Sequence, residues 1–118
     1  MQRIMCKSKL HRARVTDADL NYEGSLTIDR DLMDAANLVA FEQIQIYNIN
    51  NGSRAESYLI EGKRGSGEIC VNGALARLAQ KGDLLIIVAF ALIHEAELDS
   101  FKPKIIILDD NNHLKHLS

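Results

Sequence analysis

Residues 43–61 read QIQIYNINNGSRAESYLIE and carry the clearest structural signal in the chain. Apolar and polar side chains alternate over residues 43–49, which is typical of a strand with one buried face. Asn50-Asn51-Gly52 is a strong tight-turn signal, because Asn and Gly tolerate the backbone angles of short hairpin turns. Residues 54–61 then resume the strand pattern. The segment therefore predicts a β-hairpin.

Further strands are predicted on both sides of this hairpin. They cover residues 3–15, 27–29, 68–71, 84–92 and 104–108. Short helices are predicted at residues 30–37, with Asp29 as the N-cap, and at 73–80, with a helical turn at 95–100. The chain from Asp109 onward is predicted to be a polar tail that frays. Many short strands with two small helices indicate a mainly β fold, closed or nearly closed into a barrel.

Composition favours one globular domain over residues 1–118. Hydrophobic residues make up 47% of the chain and charged residues 25%, which is ordinary for a soluble domain. The formal net charge is −2, and no basic run is interleaved with aromatic residues, so we expect no nucleic-acid partner. The amino terminus is charged too early for a secretory signal, and the apolar run at 84–93 is far shorter than a membrane helix of roughly 20 residues. The expected compartment is the cytoplasm, with no membrane partner.

Several familiar ligand motifs are missing. The glycines of residues 62–67 are in the wrong order for a dinucleotide fingerprint, and the segment is interpreted as a flexible hairpin loop. The four histidines are scattered, without a carboxylate or cysteine partner at a spacing typical of zinc sites. Residues 109–112 resemble part of a calcium loop but lack its glycine and distal glutamate. We therefore expect no metal site. The two cysteines, Cys6 and Cys70, form no CxxC motif and are too few for a disulfide framework, so both are expected to be half-buried packing residues.

The dipeptide Gly24-Ser25 can undergo a reaction that an ordinary turn does not require. A serine hydroxyl can attack the preceding peptide carbonyl and turn the amide into an ester if the backbone is held twisted. Elimination then leaves a dehydroalanine, and hydrolysis caps the downstream piece with a pyruvoyl group, an electron sink for amine chemistry. A Gly-Ser dipeptide alone is more often an ordinary turn. From these two residues, a turn and a self-cleavage site both stay open.

Several blocks of the chain together resemble the aspartate 1-decarboxylase family, the pyruvoyl enzymes that make β-alanine. The blocks are Lys9-Leu10-His11-Arg12, residues 15–25, Asn50-Asn51-Gly52 with Arg54 and Tyr58, Arg64-Gly65, and Val71-Asn72-Gly73-Ala74. They occur in the family's order and spacing. The resemblance implies a six-stranded double-psi β-barrel and a homotetramer with active sites between subunits. It also implies that the chain is a zymogen, which cuts itself between Gly24 and Ser25 into residues 1–24 (β chain) and 25–118 (α chain).

The resemblance also implies a reaction and roles for particular residues. Ser25 would become the covalent pyruvoyl cofactor and form a Schiff base with L-aspartate, whose decarboxylation yields β-alanine and CO2 for pantothenate and coenzyme A biosynthesis. Tyr58 is the expected proton donor. Lys9 and Arg54 are expected to bind the two substrate carboxylates. Which cation binds which carboxylate stays open.

Other residues are expected to bind substrate or to help the cleavage. Ser57 stands where the family usually has threonine, and it keeps the hydroxyl. Strand alternation places Ser57 on the opposite face from Arg54 and Tyr58, so a twist, a bulge or a subunit boundary would have to bring it into their site.

Residues next to the predicted second helix, together with His11 and Tyr22, complete this set. Asn72 and Gly73 are expected to hold the oxyanion formed when Ser25 attacks Gly24, with an ordinary N-cap as the alternative. By resemblance, Ala74, His11 and Tyr22 are expected to line the pocket, and a core histidine is the alternative for His11.

Other functions also stay open. The chain could be an uncleaved, noncatalytic β-barrel binding module, or a pyruvoyl enzyme for a different amino acid such as glutamate. Cleavage that requires a helper protein stays open too, because local sequence does not report the backbone geometry that makes an amide reactive.

Overall fold

The computed structural model describes residues 1–117. Its strands are β1 Gln2–Arg14, β2 Asp17–Asp19, β3 Ser25–Asp29, β4 Gln43–Asn48, β5 Arg54–Gly62, β6 Ile69–Asn72, β7 Leu84–His94, β8 Lys104–Leu108 and β9 Leu114–Leu117. The one α-helix of this range is α1, Arg30–Ala35, and short 3-10 helices cover Gly73–Arg77 and Glu95–Glu97. The predicted mainly β fold with short helices is confirmed. No helix within the described residues is long and apolar enough to cross a membrane.

The strands form one sheet, in which hydrogen-bonded neighbours follow the order β2-β6-β3-β5-β4-β7-β1-β8-β9. β1 and β7 pair antiparallel over most of their length, whereas β3 with β5 and β1 with β8 are parallel pairs. Inward side chains of these strands form the core, and the most deeply buried include Leu10, Leu26, Ile28, Ile44, Leu59, Ile69, Ile87 and Ile106. The resemblance implied six strands. The described residues form nine strands, and the pairing order has two open ends.

The hairpin predicted from residues 43–61 is confirmed. β4 and β5 pair antiparallel from Gln43 opposite Tyr58 to Tyr47 opposite Arg54. Gly52 takes a φ of +76° in the turn, and its N–H donates to the carbonyl oxygen of Asn48 at 2.8 Å. A left-handed backbone angle is the reason the turn needs glycine at this point.

The first helix also follows its sequence signal. Asp29 caps α1, with its carboxylate accepting a hydrogen bond from the N–H of Asp31 at 2.8 Å. The same carboxylate accepts the N–H groups of Gly65 at 2.9 Å and Gly67 at 2.8 Å. The loop at residues 62–67 is thereby tied to the start of the helix.

The prediction of a fraying tail after Asp109 is wrong for the described residues. β9 pairs antiparallel with β8, and Asn112 is only 1% exposed. The Asn112 amide accepts the N–H of Arg14 at 2.7 Å and donates to the carbonyl oxygens of Arg14 and Gly67, both at 2.8 Å. Buried backbone groups need partners, and a side chain from the tail provides them here. Ser118 lies outside the described residues.

Candidate active site

The Gly24–Ser25 peptide bond lies where the chain enters β3. Ser25 is fully buried and stands directly opposite Asn72 in the antiparallel β3–β6 pair. Asn72 Nδ2 lies 3.0 Å from both Ser25 Oγ and Thr27 Oγ1. Ser25 Oγ also lies 3.5 Å from the carbonyl oxygen of Glu23, which is at the outer limit of a hydrogen bond. One side-chain amide therefore fixes the hydroxyl beside the bond that is predicted to break.

Gly73 brings the backbone after β6 directly against Gly24. Its φ is +66°, and a Cβ at this position would lie 2.7 Å from both the Cα and the N of Gly24 and 2.9 Å from the carbonyl oxygen of Tyr22. Real Cβ atoms do not approach so closely, so only glycine permits this contact. Gly24 itself has open space where its Cβ would be. The steric requirement for glycine at this junction thus comes from position 73.

A cavity of about 420 Å³ opens beside the bond. It is lined by Gly24, Ala55, Glu56, Ser57, Tyr58, Asn72, Ala74, Leu75 and Leu78. Its mostly apolar wall with a few polar groups is typical of small-molecule sites. Ser57 and Tyr58 both line it, although they lie on opposite faces of β5, because the cavity takes in the successive residues 55–58. Ser57 and Tyr58 can therefore reach one cavity even though strand alternation places them on opposite faces.

Phe41, a residue that sequence reasoning missed, packs against Tyr58. The Phe41 ring centre lies 6.2 Å from that of Tyr58, with the ring planes tilted by 31°. Phe41 has a φ of +71°, which is unusual for a bulky side chain, and its N–H donates to the carbonyl oxygen of Leu59 at 2.8 Å. No sequence pattern signals this contact, because it depends on how the chain returns to β5.

The two candidate carboxylate-binding cations lie on the outer face of the sheet. Arg54 stands opposite Tyr47, Tyr47 opposite Ile86, and Ile86 opposite His11. Directly opposed residues share a face, and Lys9, two residues before His11, is on that face as well. With neighbouring strands about 4.8 Å apart, the backbones at His11 and Arg54 are about 14 Å from each other.

Neither cation reaches the cleavage junction within the described part of one chain. Lys9 and Arg54 are absent from the lining of the 420 Å³ cavity. The Arg54 guanidinium instead stacks over the Tyr47 ring, 3.8 Å from its centre. The fold of one chain therefore brings Ser25, Ser57, Tyr58, Asn72, Gly73 and Ala74 together and leaves Lys9, Arg54 and His11 elsewhere.

His11 and Tyr22 have separate surroundings. Burial, with the cations of Lys9 and Arg12 nearby, lowers the pKa of His11. Its Nδ1 is buried without a hydrogen-bond partner among the described residues. Tyr22 is 53% exposed and lines a second cavity of about 400 Å³.

This second cavity is acidic and meets the first one at a shared residue. Its wall includes the carboxylates of Asp17, Asp19, Glu61 and Glu68 together with Tyr22, Thr27, Ile60, Gly62, Lys63, Cys70 and Asn72. Asn72 lines both cavities. Thr27 and Cys70, which sequence reasoning did not select, contact Asn72 there. The period-two spacing of residues 25 and 27, and of 70 and 72, was the available signal.

Comparisons with known proteins identify the family of the chain. A family model described as aspartate decarboxylase matches residues 1–115. An aspartate 1-decarboxylase of Thermoanaerobacter pseudethanolicus is 56% identical over 112 residues, covering 95% of this chain and 96% of the relative. One of Bacillus cereus is 57% identical over 114 residues, covering 97% and 90%. One of Ralstonia pickettii is 56% identical over 115 residues, covering 98% and 96%. The resemblance inferred from the sequence blocks is thereby confirmed, and the chain belongs to the aspartate decarboxylase family.

Proposed function

We propose that this chain decarboxylates L-aspartate to β-alanine and CO2, in the cytoplasm and for pantothenate and coenzyme A biosynthesis, after cutting itself at Gly24–Ser25. The observation that carries the proposal is the buried Ser25 hydroxyl, fixed 3.0 Å from Asn72 Nδ2 beside a Gly24 backbone that packs on Gly73. Relatives that share more than half of its residues are named aspartate 1-decarboxylase.

Cleavage uses groups that already meet at the junction. Ser25 Oγ attacks the carbonyl carbon of Gly24, the C–N bond breaks, and the amide becomes an ester. Loss of the Ser25 Cα proton then expels the Gly24 carboxylate, and hydrolysis of the dehydroalanine releases ammonia and leaves a ketone at residue 25. The Asn72 amide and the backbone at Gly73 are the groups we assign to the developing oxyanion, since preorganised donors stabilise such charge strongly. The products are residues 1–24 and 25–118.

The surroundings of residue 25 fit a pyruvoyl group. Asn72 Nδ2 already contacts the oxygen of this residue and can donate equally to a carbonyl oxygen there. The position is fully buried, so a ketone there would be shielded from bulk solvent. The pyruvoyl group supplies an electron sink for the charge left when CO2 departs.

The cavity residues take the remaining roles next to this position. Tyr58 delivers a proton to the former α-carbon of the substrate, because a phenol can donate once CO2 has left. Ser57 donates its hydroxyl to an oxygen of the reacting group, and Ala74 shapes the wall beside it. Tyr22 approaches from the acidic cavity on the other side of Asn72.

The positions of the cations support an assembly with shared sites. Lys9 and Arg54 must hold the two carboxylates of one small substrate, yet a single chain leaves their backbones well apart and away from Ser25. We therefore propose a homotetramer in which a neighbouring subunit brings cations, with His11 beside Lys9, to the cavity of its partner. Exposed apolar side chains on the same sheet, Ile4, Phe90 and Leu92, are consistent with such a contact.

Replacing Ser25 with alanine tests the chemistry. The unmodified full-length chain should yield two fragments, residues 1–24 and 25–118, by intact-mass spectrometry. The larger fragment should carry a ketone-reactive end, and the sample should release CO2 from L-aspartate. Ser25→Ala should keep the melting temperature within a few degrees and lose both the cut and the CO2.

Each contrary result has a distinct meaning in this experiment. CO2 release that survives in Ser25→Ala would rule out the pyruvoyl chemistry. A folded parent chain that neither cuts nor releases CO2 would favour the noncatalytic binding module. Faster CO2 release from glutamate than from aspartate would reassign the substrate, and cutting only after a cell extract is added would assign a helper protein.

A further inference from the structure

The orientation of the Asn72 amide matters for the cleavage, and its hydroxyl neighbours do not set it. Ser25 and Thr27 each have a hydroxyl that can donate or accept a hydrogen bond. Turning the amide by 180° would therefore still satisfy both hydroxyls. The turned amide would present Oδ1 to Ser25, where it would accept the hydroxyl proton and offer no N–H next to the Gly24–Ser25 bond.

Cys70 is the neighbour that distinguishes the two orientations. Its Sγ lies 3.2 Å from Asn72 Oδ1, and two residues of separation in β6 place both side chains on one face. In the strand pairing Cys70 stands between Thr27 of β3 and Asp17 of β2. It is only partly buried, at the edge of the acidic cavity.

The environment keeps this thiol in its donor form. Burial raises the pKa of Cys70, and the carboxylates of Asp17, Glu68 and Asp19 raise it further. A protonated thiol can donate to Oδ1, whereas it has little to offer to the N–H groups of a turned amide because sulfur is a weak acceptor.

We propose that Cys70 is a positioning residue for self-cleavage, which donates its S–H to Asn72 Oδ1 and so directs Asn72 Nδ2 toward Ser25. This inference rests on the proposed cleavage at Gly24–Ser25. It assigns a function to a thiol that neither forms a disulfide nor touches the scissile bond. Cys70 acts through Asn72 alone.

The rate of cutting in the full-length chain is the direct readout. Chains made by cell-free synthesis are uncut at the start, so the appearance of the two fragments can be followed by intact-mass spectrometry at fixed temperature. We expect Cys70→Ala to cut about tenfold more slowly than the parent chain. We expect Cys70→Ser to stay within about threefold of the parent, because a hydroxyl restores the donor.

Cys6 provides a matched control within the same chain. It is also a partly buried free thiol, but its Sγ lies 3.9 Å from the carbonyl oxygen of Ser8 in β1 and has no link to Ser25. Cys6→Ala should cut at the parental rate. Thermal melting of all variants shows whether a slow variant is folded, and Cys70→Ser keeps the test decisive if Cys70→Ala is not.

A second readout separates orientation of the amide from general packing. Since Cys70 acts through Asn72, adding Cys70→Ala to Asn72→Ala should slow cutting no further than Asn72→Ala alone, as expected for coupled neighbours. If Cys70→Ala acted through general packing instead, the double variant would be slowed by the product of the two single-variant factors.

The proposal is overturned by a folded Cys70→Ala chain that cuts at the parental rate, by a folded Cys70→Ser chain as slow as Cys70→Ala, or by multiplicative slowing in the double variant. Each of these leaves the proposed function intact, because the parent chain still cuts. A parent chain that never cuts overturns the proposed function and this inference together.

Discussion

At the residue scale, the close packing at Gly24–Ser25 depends on the absence of a side chain at Gly73. Gly73 lacks the Cβ that would strike the Gly24 backbone at 2.7 Å. It also has the left-handed φ that glycine adopts without strain. Asn72, whose amide contacts the Ser25 hydroxyl, directly precedes it. One dipeptide therefore supplies both the polar contact and the close approach.

Gly73→Ala should have a larger effect on the junction than the backbone strain of a left-handed alanine would cause by itself. The new Cβ must displace Gly24, so we expect self-cleavage to slow at least tenfold in addition to a loss of about 1–2 kcal/mol in the free energy of unfolding. Fragment formation by mass spectrometry and chemical denaturation measure the two effects.

Gly52→Ala is the matched control for this substitution. Its φ is +76°, but a Cβ added at Gly52 would have no other atom within 4 Å. It should cost about 1 kcal/mol of stability and leave the rate of cutting unchanged. Equal rates of cutting in the two variants would mean that the contact with Gly24 is unimportant.

At the element scale, one carboxylate joins three parts of the chain. Asp29 ends β3, caps α1 and holds the loop before β6 through the N–H groups of Asp31, Gly65 and Gly67. The loop leads directly into the strand that carries Asn72. The placement of β6 against β3 is thus coupled to a buried acidic side chain outside the cavity.

This arrangement predicts a loss of stability in acid. Burial alone would raise the pKa of Asp29, but hydrogen bonds from the backbone N–H groups of Gly67, Asp31 and Gly65 outweigh it, and the pKa lies below the ordinary value of 3.8. A group whose pKa is lower in the folded chain stabilises the fold above its unfolded pKa and loses that contribution as the pH falls through the folded value. The free energy of unfolding should therefore decrease as the pH is lowered below about 4.

Asp29→Asn should reduce this acid dependence and lower stability at pH 7 by about 1–3 kcal/mol, since charged acceptors form the stronger hydrogen bonds. Asp110→Asn, which changes a carboxylate that is 95% exposed, should alter neither quantity. Urea denaturation from pH 3 to 7 measures both. An unchanged acid slope in Asp29→Asn would contradict the assigned role.

At the scale of the whole molecule, the sheet has one face for the core and another that a single chain leaves uncovered. Ile4 is 73% exposed, Leu92 61% and Phe90 43%, beside a cavity of about 270 Å³. Lys9 and Arg54 lie on the same outer surface. Contiguous apolar patches of this kind mark interaction sites, and a second copy of the chain is the partner that the proposed shared active site requires.

Phe90→Asp should break this contact, because an unpaired carboxylate would be buried against apolar groups. We expect a smaller species by sedimentation equilibrium and at least a tenfold loss of CO2 release from L-aspartate. Self-cleavage should persist, because its groups belong to one chain. Val39→Asp, at another exposed apolar position, is the control. A monomeric Phe90→Asp chain with full activity would show that the site needs no neighbour.

Much of the fold could be predicted from local pattern. Alternating residues and the Asn50-Asn51-Gly52 turn determine the β4–β5 hairpin, and Asp29 determines the start of α1, because both depend on near neighbours in sequence. The prediction failed at the tail, where Asn112 is ordered by hydrogen bonds to Arg14 and Gly67. Nothing local to Asn112 indicates those partners.

The sequence by itself determined the secondary-structure pattern, the family and the inventory of reactive groups, including Ser25, Tyr58 and the cations. Only the tertiary structure decided which of them meet. Ser25 and Asn72 lie 47 residues apart, and their contact depends on the register of β3 against β6, which the buried core sets as a whole. The same register sets Thr27 opposite Cys70, whereas the pairing of β1 with β7, of β7 with β4 and of β4 with β5 keeps Lys9 and Arg54 on the outer face. Strand alternation specifies the faces of one strand, whereas packing between distant strands specifies which residues stand opposite each other.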